Sequence, residues 1–201
     1  MSEKETAVVE LTKNKGIYVM QYTTKNPMLI IEDYERKYGY RPERGHLMVM
    51  ERNGILTPYI TKSGWSQIAN SKKISTKIAV EKIGKGYAFM KCTAVLPDGT
   101  SHEAIGYSDT TEPGKENQSK CLAMAQTRAR NKALEYATET TECSWEEVES
   151  PEMAKRSRDI TEMVQETLTV CPECKKHGWS KLQKRCLECG ITHEAIVEGR
   201  A

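Results

Sequence analysis

Four of the seven cysteines fall in one short window, as Cys171-Pro-Glu-Cys174 and Cys186-Leu-Glu-Cys189. Each pair is C-x-x-C, and eleven residues separate the two pairs. Two thiolates three positions apart on a tight turn grip one metal ion, and two such turns close a tetrahedral S4 site. A redox dithiol or two chance pairs are the competing readings; two matched pairs at hairpin distance favour zinc. All four positions are thiolates, which leaves no ligand slot for water, so the expected cofactor is one structural Zn2+ held by Cys171, Cys174, Cys186 and Cys189. Gly190 lets backbone amides turn toward the sulfurs, and His177 and His193 read as surface residues. A segment of about thirty residues buries too little surface to fold without its metal. Its hairpin carries Lys175, Lys176, Lys181, Lys184 and Arg185 around Trp179. That pattern suits a nucleic-acid backbone with a stacked base, and equally a solvated hairpin whose Trp packs over the knuckles.

A second set of residues offers charge rather than ligation. The stretch from about Asn117 to Thr138 has helical periodicity, with Leu122, Ala125, Ala129, Ala133, Tyr136 and Ala137 on one stripe. The stripe is mostly alanine, so the helix can lie close against a sheet. Lys120, Arg128, Arg130 and Lys132 occupy the rest of the perimeter, and no acid occurs between Glu116 and Glu135. Arg128 and Lys132 are four apart and share a flank. Cations spaced along a helix beside a sheet suit a phosphate backbone. No helix-turn-helix or RNA-recognition signature accompanies them, which points to binding without sequence readout, for which single strands are the natural ligand. A solvated amphipathic helix gives the same pattern.

Other chemistries find little support. The chain has no G-x-x-x-x-G-K-[ST] loop and no G-x-S-x-G elbow. His102-Glu103 opens like H-E-x-x-H, but residue 106 is Gly, and alternation on a strand would send the two side chains to opposite faces. Asp98, Glu103, Asp109 and Glu112 would serve a Mg2+-dependent nuclease only if they converged. Cys92 and Cys121 lie on apolar faces and read as core.

The elements that must position these residues follow from local signals. Residues 1–25 are polar and read as a flexible arm, with an edge strand as the alternative. Asn26-Pro27 is an N-cap followed by Pro at the first helical position, which predicts a short helix to about Tyr38. Asn53-Gly54 between His46–Glu51 and Ile55–Ile60 is a hairpin signal. Thr61 or Ser63 caps a helix through Trp65, Ile68 and Ala69. Lys77–Ile83, Tyr87–Leu96 and Thr100–Tyr107 then form an antiparallel meander, the middle run alternating Ala88, Met90, Cys92, Ala94 and Leu96 against a wetter face. Ser150-Pro151 starts a linking helix to about Leu168. The fold class is α+β, with an antiparallel hairpin and meander packed on a long helix, plus a small C-terminal zinc ribbon. With 30 Lys+Arg against 28 Asp+Glu the net charge is +2, so any attraction to a polyanion must come from local clustering. The longest apolar runs are far too short to span a bilayer, and the opening Met-Ser-Glu-Lys-Glu-Thr lacks an apolar signal segment. An intracellular, soluble protein with no membrane partner and reduced or metal-bound cysteines is expected.

From Tyr59 to Glu149 the chain resembles the annealing core of the Rad-fifty-two single-strand DNA annealing proteins, including their phage and archaeal-virus relatives. The resemblance is carried by Tyr59-Ile60, by Ile68-Ala69-Asn70, by the run from Pro97-Asp98-Gly99 through His102-Glu103-Ala104-Ile105-Gly106-Tyr107, and by Ala125-Gln126-Thr127-Arg128-Ala129-Arg130-Asn131-Lys132-Ala133-Leu134. It covers about half of the chain and does not include the ribbon. It implies an oligomeric ring or filament that holds a DNA strand in a groove, bases outward, and pairs it with a complement without making or breaking bonds. By position, Lys132 matches a basic residue lining that groove, Tyr59 an aromatic one on the hairpin, and Lys120 and Lys115 basic positions where the long helix begins. Arg128 agrees with the phage-like form of the motif. Asn131 and Glu135 stand where eukaryotic members have cations; either the groove is less positive here, or Arg128, Arg130 and Arg52 substitute.

The expectation is therefore a flexible arm at 1–25, an annealing core at 26–149, a linking helix at 150–168 and a zinc ribbon at 169–201. The expected function is non-enzymatic binding and annealing of single-stranded DNA in recombination or repair. The candidate contacts are Arg52, Tyr59, Lys62, Lys115, Lys120, Arg128, Arg130 and Lys132. The expected partners are single-stranded DNA, further copies of the chain, and a recombinase or single-strand-binding protein. The alternatives are a zinc-ribbon DNA-binding module of transcription or replication, a Mg2+-dependent nuclease, and a protein-interaction scaffold.

Overall fold

A computed structural model describes residues 9–14, 17–22, 26–52, 55–140, 144–145, 157–180 and 184–197; for 9–22, 52, 55, 177 and 197 it is the backbone alone that is described. The strands β1 (Val9–Asn14) and β2 (Ile17–Tyr22) precede α1 (Pro27–Tyr38), β3 (Leu47–Arg52), β4 (Ile55–Ile60) and α2 (Lys62–Ser71). The meander is β5 (Ser75–Gly84), β6 (Tyr87–Val95) and β7 (Ser101–Asp109), followed by α3 (Gln118–Thr138). Then come β8 (Ser157–Asp159), α4 (Ile160–Thr167), β9 (Leu168–Val170), β10 (His177–Ser180), β11 (Arg185–Cys186) and α5 (His193–Val197). The described strands form three sheets, in the orders β1-β2-β4-β3-β8, β5-β6-β7 and β11-β10-β9.

The helix starts follow the capping chemistry of the sequence. The Asn26 side chain accepts from Met28 N at 3.0 Å with Pro27 at the first helical position, and Gly39, at φ 76°, ends α1. Thr61 accepts from Gly64 N at 3.2 Å, and Asn117 from Lys120 N at 2.9 Å. The alternation of β6 holds as well: Ala88, Met90, Cys92 and Ala94 are buried beneath α3. Cys121 is buried too, its thiol donating to the Ser108 carbonyl at 2.9 Å.

The contact between α3 and β7 is close because both sides are small. Ala125, Ala129 and Ala133 are fully buried along the helix. Opposite them, a Cβ at Gly106 would lie 2.2 Å from the Ala125 carbonyl oxygen and 2.3 Å from Ala129 N. The glycine is there for space, since its backbone is not in the left-handed region.

Of the two readings of the N-terminal segment, the backbone takes the edge strand: β1 and β2 pair, β1 lies outermost, and β2 joins the first sheet through Tyr22 opposite Leu56. Two expectations are corrected. The described part of the linking helix starts as a strand, because β8 pairs antiparallel with β3, and helix begins only at Ile160; residues 150–156 lie outside the described residues. This segment is no mere spacer, since Ile160 and Val164 enter the main core. Finally, the buried line of α3 runs through Cys121 and Leu134 and excludes Tyr136, which is 49% exposed. The helix presents Tyr136 beyond the sheet instead of onto it.

On α2, the Trp65 indole N–H donates to Ser144 Oγ at 2.8 Å, and the Ser144 hydroxyl donates to a Glu135 carboxylate oxygen at 3.4 Å, all three residues being buried. Ser144→Ala strands the indole N–H without an acceptor. The expected cost is about 1–3 kcal/mol, read as a lower urea midpoint at unchanged slope.

Candidate metal centre and basic groove

The two cysteine knuckles repeat one geometry. In each, the residue four positions after the first cysteine, Lys175 or Gly190, adopts positive φ (59° and 75°). Each donates its N–H back to that cysteine's carbonyl, at 3.1 Å for Lys175 to Cys171 and 2.9 Å for Gly190 to Cys186. This turn aims both thiols of a pair to one side. Cys171 Sγ and Cys189 Sγ are 3.9 Å apart, Cys174 Sγ and Cys186 Sγ are 3.7 Å apart, and all four sulfurs lie within 4.8 Å of one another. A tetrahedral ion with bonds of about 2.3 Å to sulfur needs sulfurs about 3.8 Å apart, so the donor set fits a metal ion of zinc's size and preference. The four thiols share their protons unequally: against its burial, the Cys189 and Glu188 amides and the neighbouring thiols draw Cys186 down, while Cys174, despite the Lys176 amide, is pushed up by burial and by its neighbours. His193 is exposed on α5, and Trp179 is half-buried in β10 between Thr169 and Cys186.

The second site lies along β7, one of the two outer strands of the meander. A cavity of about 590 Å³ is lined there by Arg128, Lys132 and Tyr136 from α3, by Ile105 and Tyr107 from β7, and by Lys91, Glu103 and Glu81 across the open face of the sheet. Arg128, Lys132 and Tyr136 succeed one another at intervals of four, so one flank of the helix carries all three past the strand edge. Tyr107 and Tyr136 are exposed. Phe89 supports Tyr107 from beneath at a ring distance of 4.7 Å, and the Lys132 ammonium sits 5.7 Å from the centre of the Tyr136 ring.

Each cation of this groove has a carboxylate partner. Arg128 meets Glu112 through two contacts of 2.9 and 2.8 Å and also donates to the Tyr107 carbonyl at 2.8 Å, which satisfies an outward group of the edge strand. Lys132 pairs with buried Glu135 at 2.7 Å, and Lys91 with Glu103 at 2.7 Å. Partial burial opposes the charge on Glu112, but the Arg128 guanidinium, the Asp109 amide and Ser108 together hold the carboxyl below its ordinary range. This pair therefore stabilises the fold above the unfolded carboxyl's value and fades as pH falls through the lower folded one.

Of the sequence candidates, the structure brings Arg128 and Lys132 together here. Arg130 points the other way and donates to Ser66 Oγ of α2 at 3.1 Å, because two residues around a helix is about half a turn. Tyr59 is half-buried on β4, edge-on to Trp145 at 6.1 Å, away from the cavity. Lys62 opens α2 on the exposed surface; Lys115 is half-buried in the turn after β7, and Lys120 pairs with Glu116 at 3.1 Å; none of these lines the cavity. The Arg52 side chain lies outside the described residues. Asn131 and Glu135 are buried rather than cavity-lining, and of the three arginines weighed as their substitutes Arg128 lines the cavity while Arg130 faces α2. Sequence reasoning missed Tyr107 and Tyr136 as site residues; extending the four-residue step from Arg128 and Lys132 would have found Tyr136.

The four acids weighed for a magnesium site do not converge: Asp98 accepts from Thr100 N, Glu103 binds Lys91, Asp109 binds Thr111 and Tyr107, and Glu112 binds Arg128. Among the described residues, the four cysteines are the group of ligating side chains close enough to hold a metal ion, and no helix is long and apolar enough to cross a membrane. No family model matches the chain, and no curated protein matches it.

Proposed function

We propose that the protein binds single-stranded DNA along β7 and α3 and anneals it to a complement, as an oligomer and without bond-making chemistry, and that the ion of the cysteine site is zinc. The observation that carries this reading is the alternation of Arg128 and Lys132 with exposed Tyr107 and Tyr136 along one cavity. Cations that track a backbone, beside aromatic faces on which any base can stack, are what sequence-tolerant strand binding needs. Phosphates would exchange with Glu112 and Glu135 for their cations, so binding falls steeply with salt. A recombinase or a single-strand-binding protein is the natural further partner for such an activity.

The carboxylate partners of Arg128, Lys132 and Lys91 favour a second reading, a protein-docking face whose charges are already balanced. Annealing of two labelled complementary oligonucleotides, without nucleotide or Mg2+, decides between them. Strand binding reads as accelerated pairing that fades with salt. Arg128→Ala and Lys132→Ala are each expected to flatten the salt slope of strand binding by about one. Absence of any salt-dependent binding would favour the docking face.

A further inference from the structure

Each groove residue of α3 is preceded by a buried polar one. Thr127, Asn131 and Glu135, four positions apart, are all buried and come just before Arg128, Lys132 and Tyr136. One residue is about 100° of helix, so this buried line runs beside the groove flank and away from the alanines that meet β7. α2 and Ser144 pack over it, Arg130 bonding Ser66 and Trp65 bonding Ser144. The Thr127 hydroxyl is satisfied within its own helix, donating to the Ala123 carbonyl at 3.0 Å. Glu135 differs from both its neighbours in the line, because it brings a charge there and turns it toward the groove.

The carboxylates that hold Arg128 and Lys132 are therefore not equivalent. The Glu112 side chain is 23% exposed, so when a phosphate takes Arg128 water is at hand to solvate the acid left behind. The Glu135 side chain is 6% exposed. One of its oxygens holds the Lys132 ammonium at 2.7 Å, and the other accepts from the Ser144 hydroxyl at 3.4 Å, whose oxygen is in turn held by the Trp65 indole at 2.8 Å. A phosphate that draws Lys132 outward takes a full positive charge away from a carboxylate that water barely reaches. That exchange costs more than the one at Glu112, because a buried charge losing its counter-ion forfeits far more than a solvated one. The Lys132 side chain itself is 40% exposed beside the Tyr136 ring, so a strand in the groove can reach it.

We propose that Glu135 is a positioning residue that limits how tightly the groove holds a strand: it acts through Lys132, placing the ammonium beside Tyr136 and drawing it back from the phosphate. Ser144 is the second part of the device, since its hydroxyl shares the load of the buried charge. The effect falls on the lifetime of the complex, because differences in affinity among variants of one interface lie mostly in the rate of release. A protein that must hand one strand to a complement gains from a hold that is quickly given up. The inference rests on the strand-binding reading above and adds to it the residue that governs release.

The test is fluorescence anisotropy of a labelled oligothymidylate with the full-length, zinc-loaded protein, comparing wild type, Glu135→Gln, the double variant Lys132→Met with Glu135→Gln, and Ser144→Ala. Glutamine keeps the shape of the side chain and an oxygen for the Ser144 hydroxyl, and circular dichroism with thermal melting verifies that each variant folds. Glu135→Gln is expected to bind about tenfold more tightly than wild type, with correspondingly slower release into an excess of unlabelled strand. A residue that merely supports the fold would lose binding on the same change. The double variant is expected to bind no more tightly than wild type, because the gain runs through the Lys132 ammonium. Ser144→Ala keeps the carboxylate but removes its neutral donor, so it should weaken binding several-fold, and it carries the test should Glu135→Gln not fold. A wild type that binds no strand overturns the strand-binding reading and this inference with it. A wild type that binds, with a folded Glu135→Gln no tighter, a double variant that keeps the gain, or a folded Ser144→Ala that binds as wild type does, overturns the inference alone.

Discussion

Cys174→Ser will unfold the ribbon and leave the main core folded. The ribbon's sheet joins β9, β10 and β11, and its buried residues include Cys171 and Cys186 themselves, so the sulfurs are a large part of what it has for a core. Structural zinc supplies apparent folding free energy of about 10–16 kcal/mol in small thiolate domains at neutral pH, far more than so short a segment gains from burial. Removing one thiolate opens the tetrahedron and forfeits most of that. With zinc as the ion, as proposed above, the expected result is loss of one bound ion per chain, a shift in Trp179 fluorescence, and a core thermal transition close to wild type. A strong chelator should have the same effect on the unmodified protein. Acid should also release the ion, since the ligands are thiolates and protonation competes with the metal as pH falls. Leu187 of the ribbon packs on the main core, so a core transition that drops as far as the ribbon's would show the two to be one cooperative unit.

Gly106→Ala will destabilise the core by about 3 kcal/mol or more, a large cost for one methyl group. The added carbon meets the Ala125 carbonyl and the Ala129 amide, backbone atoms of a helix that cannot swing aside as a side-chain tip would. Either α3 lifts from β7 or the strand buckles. Gly99→Ala is the control: it has positive φ (88°) but open space around its Cβ, so it should cost about 1–2 kcal/mol from backbone strain alone. Chemical denaturation of both variants separates crowding from strain; equal losses would refute the packing argument.

Much of the fold was legible in the sequence because it is written in local chemistry. Asn26-Pro27, Thr61 and Asn117 cap their helices through bonds spanning two or three residues. The alternation of β6 declares its buried face, and the paired C-x-x-C knuckles declare a ligand set at fixed spacing. What remained hidden depends on distant partners. Periodicity says that Arg128 and Arg130 lie on different sides of a helix, but not that α2 occupies one of those sides. The pairing of Arg128 with Glu112 and of Lys132 with buried Glu135 converts an apparently basic helix into a charge-balanced surface, and only the tertiary structure brings Glu112 there. β8 escaped notice because a strand of three residues is too short to show alternation.

The course of folding is constrained by that same short strand. β8 is the outer strand of the first sheet beside β3, and Asp159 at its end accepts a hydrogen bond from Gly45, 114 positions earlier in the chain. Closing so long a loop is entropically costly and slow, so this joint should form late. While the chain is being synthesised, β3 can pair with β4 at once but must wait with its other edge bare until residue 159 is free to return. Meanwhile Met50 and Val49 lie on a strand whose backbone invites pairing with other chains. The interval between translation of residue 52 and residue 159 is thus a period of aggregation risk for the nascent protein. Expression trials that slow synthesis across this stretch should lower its soluble yield.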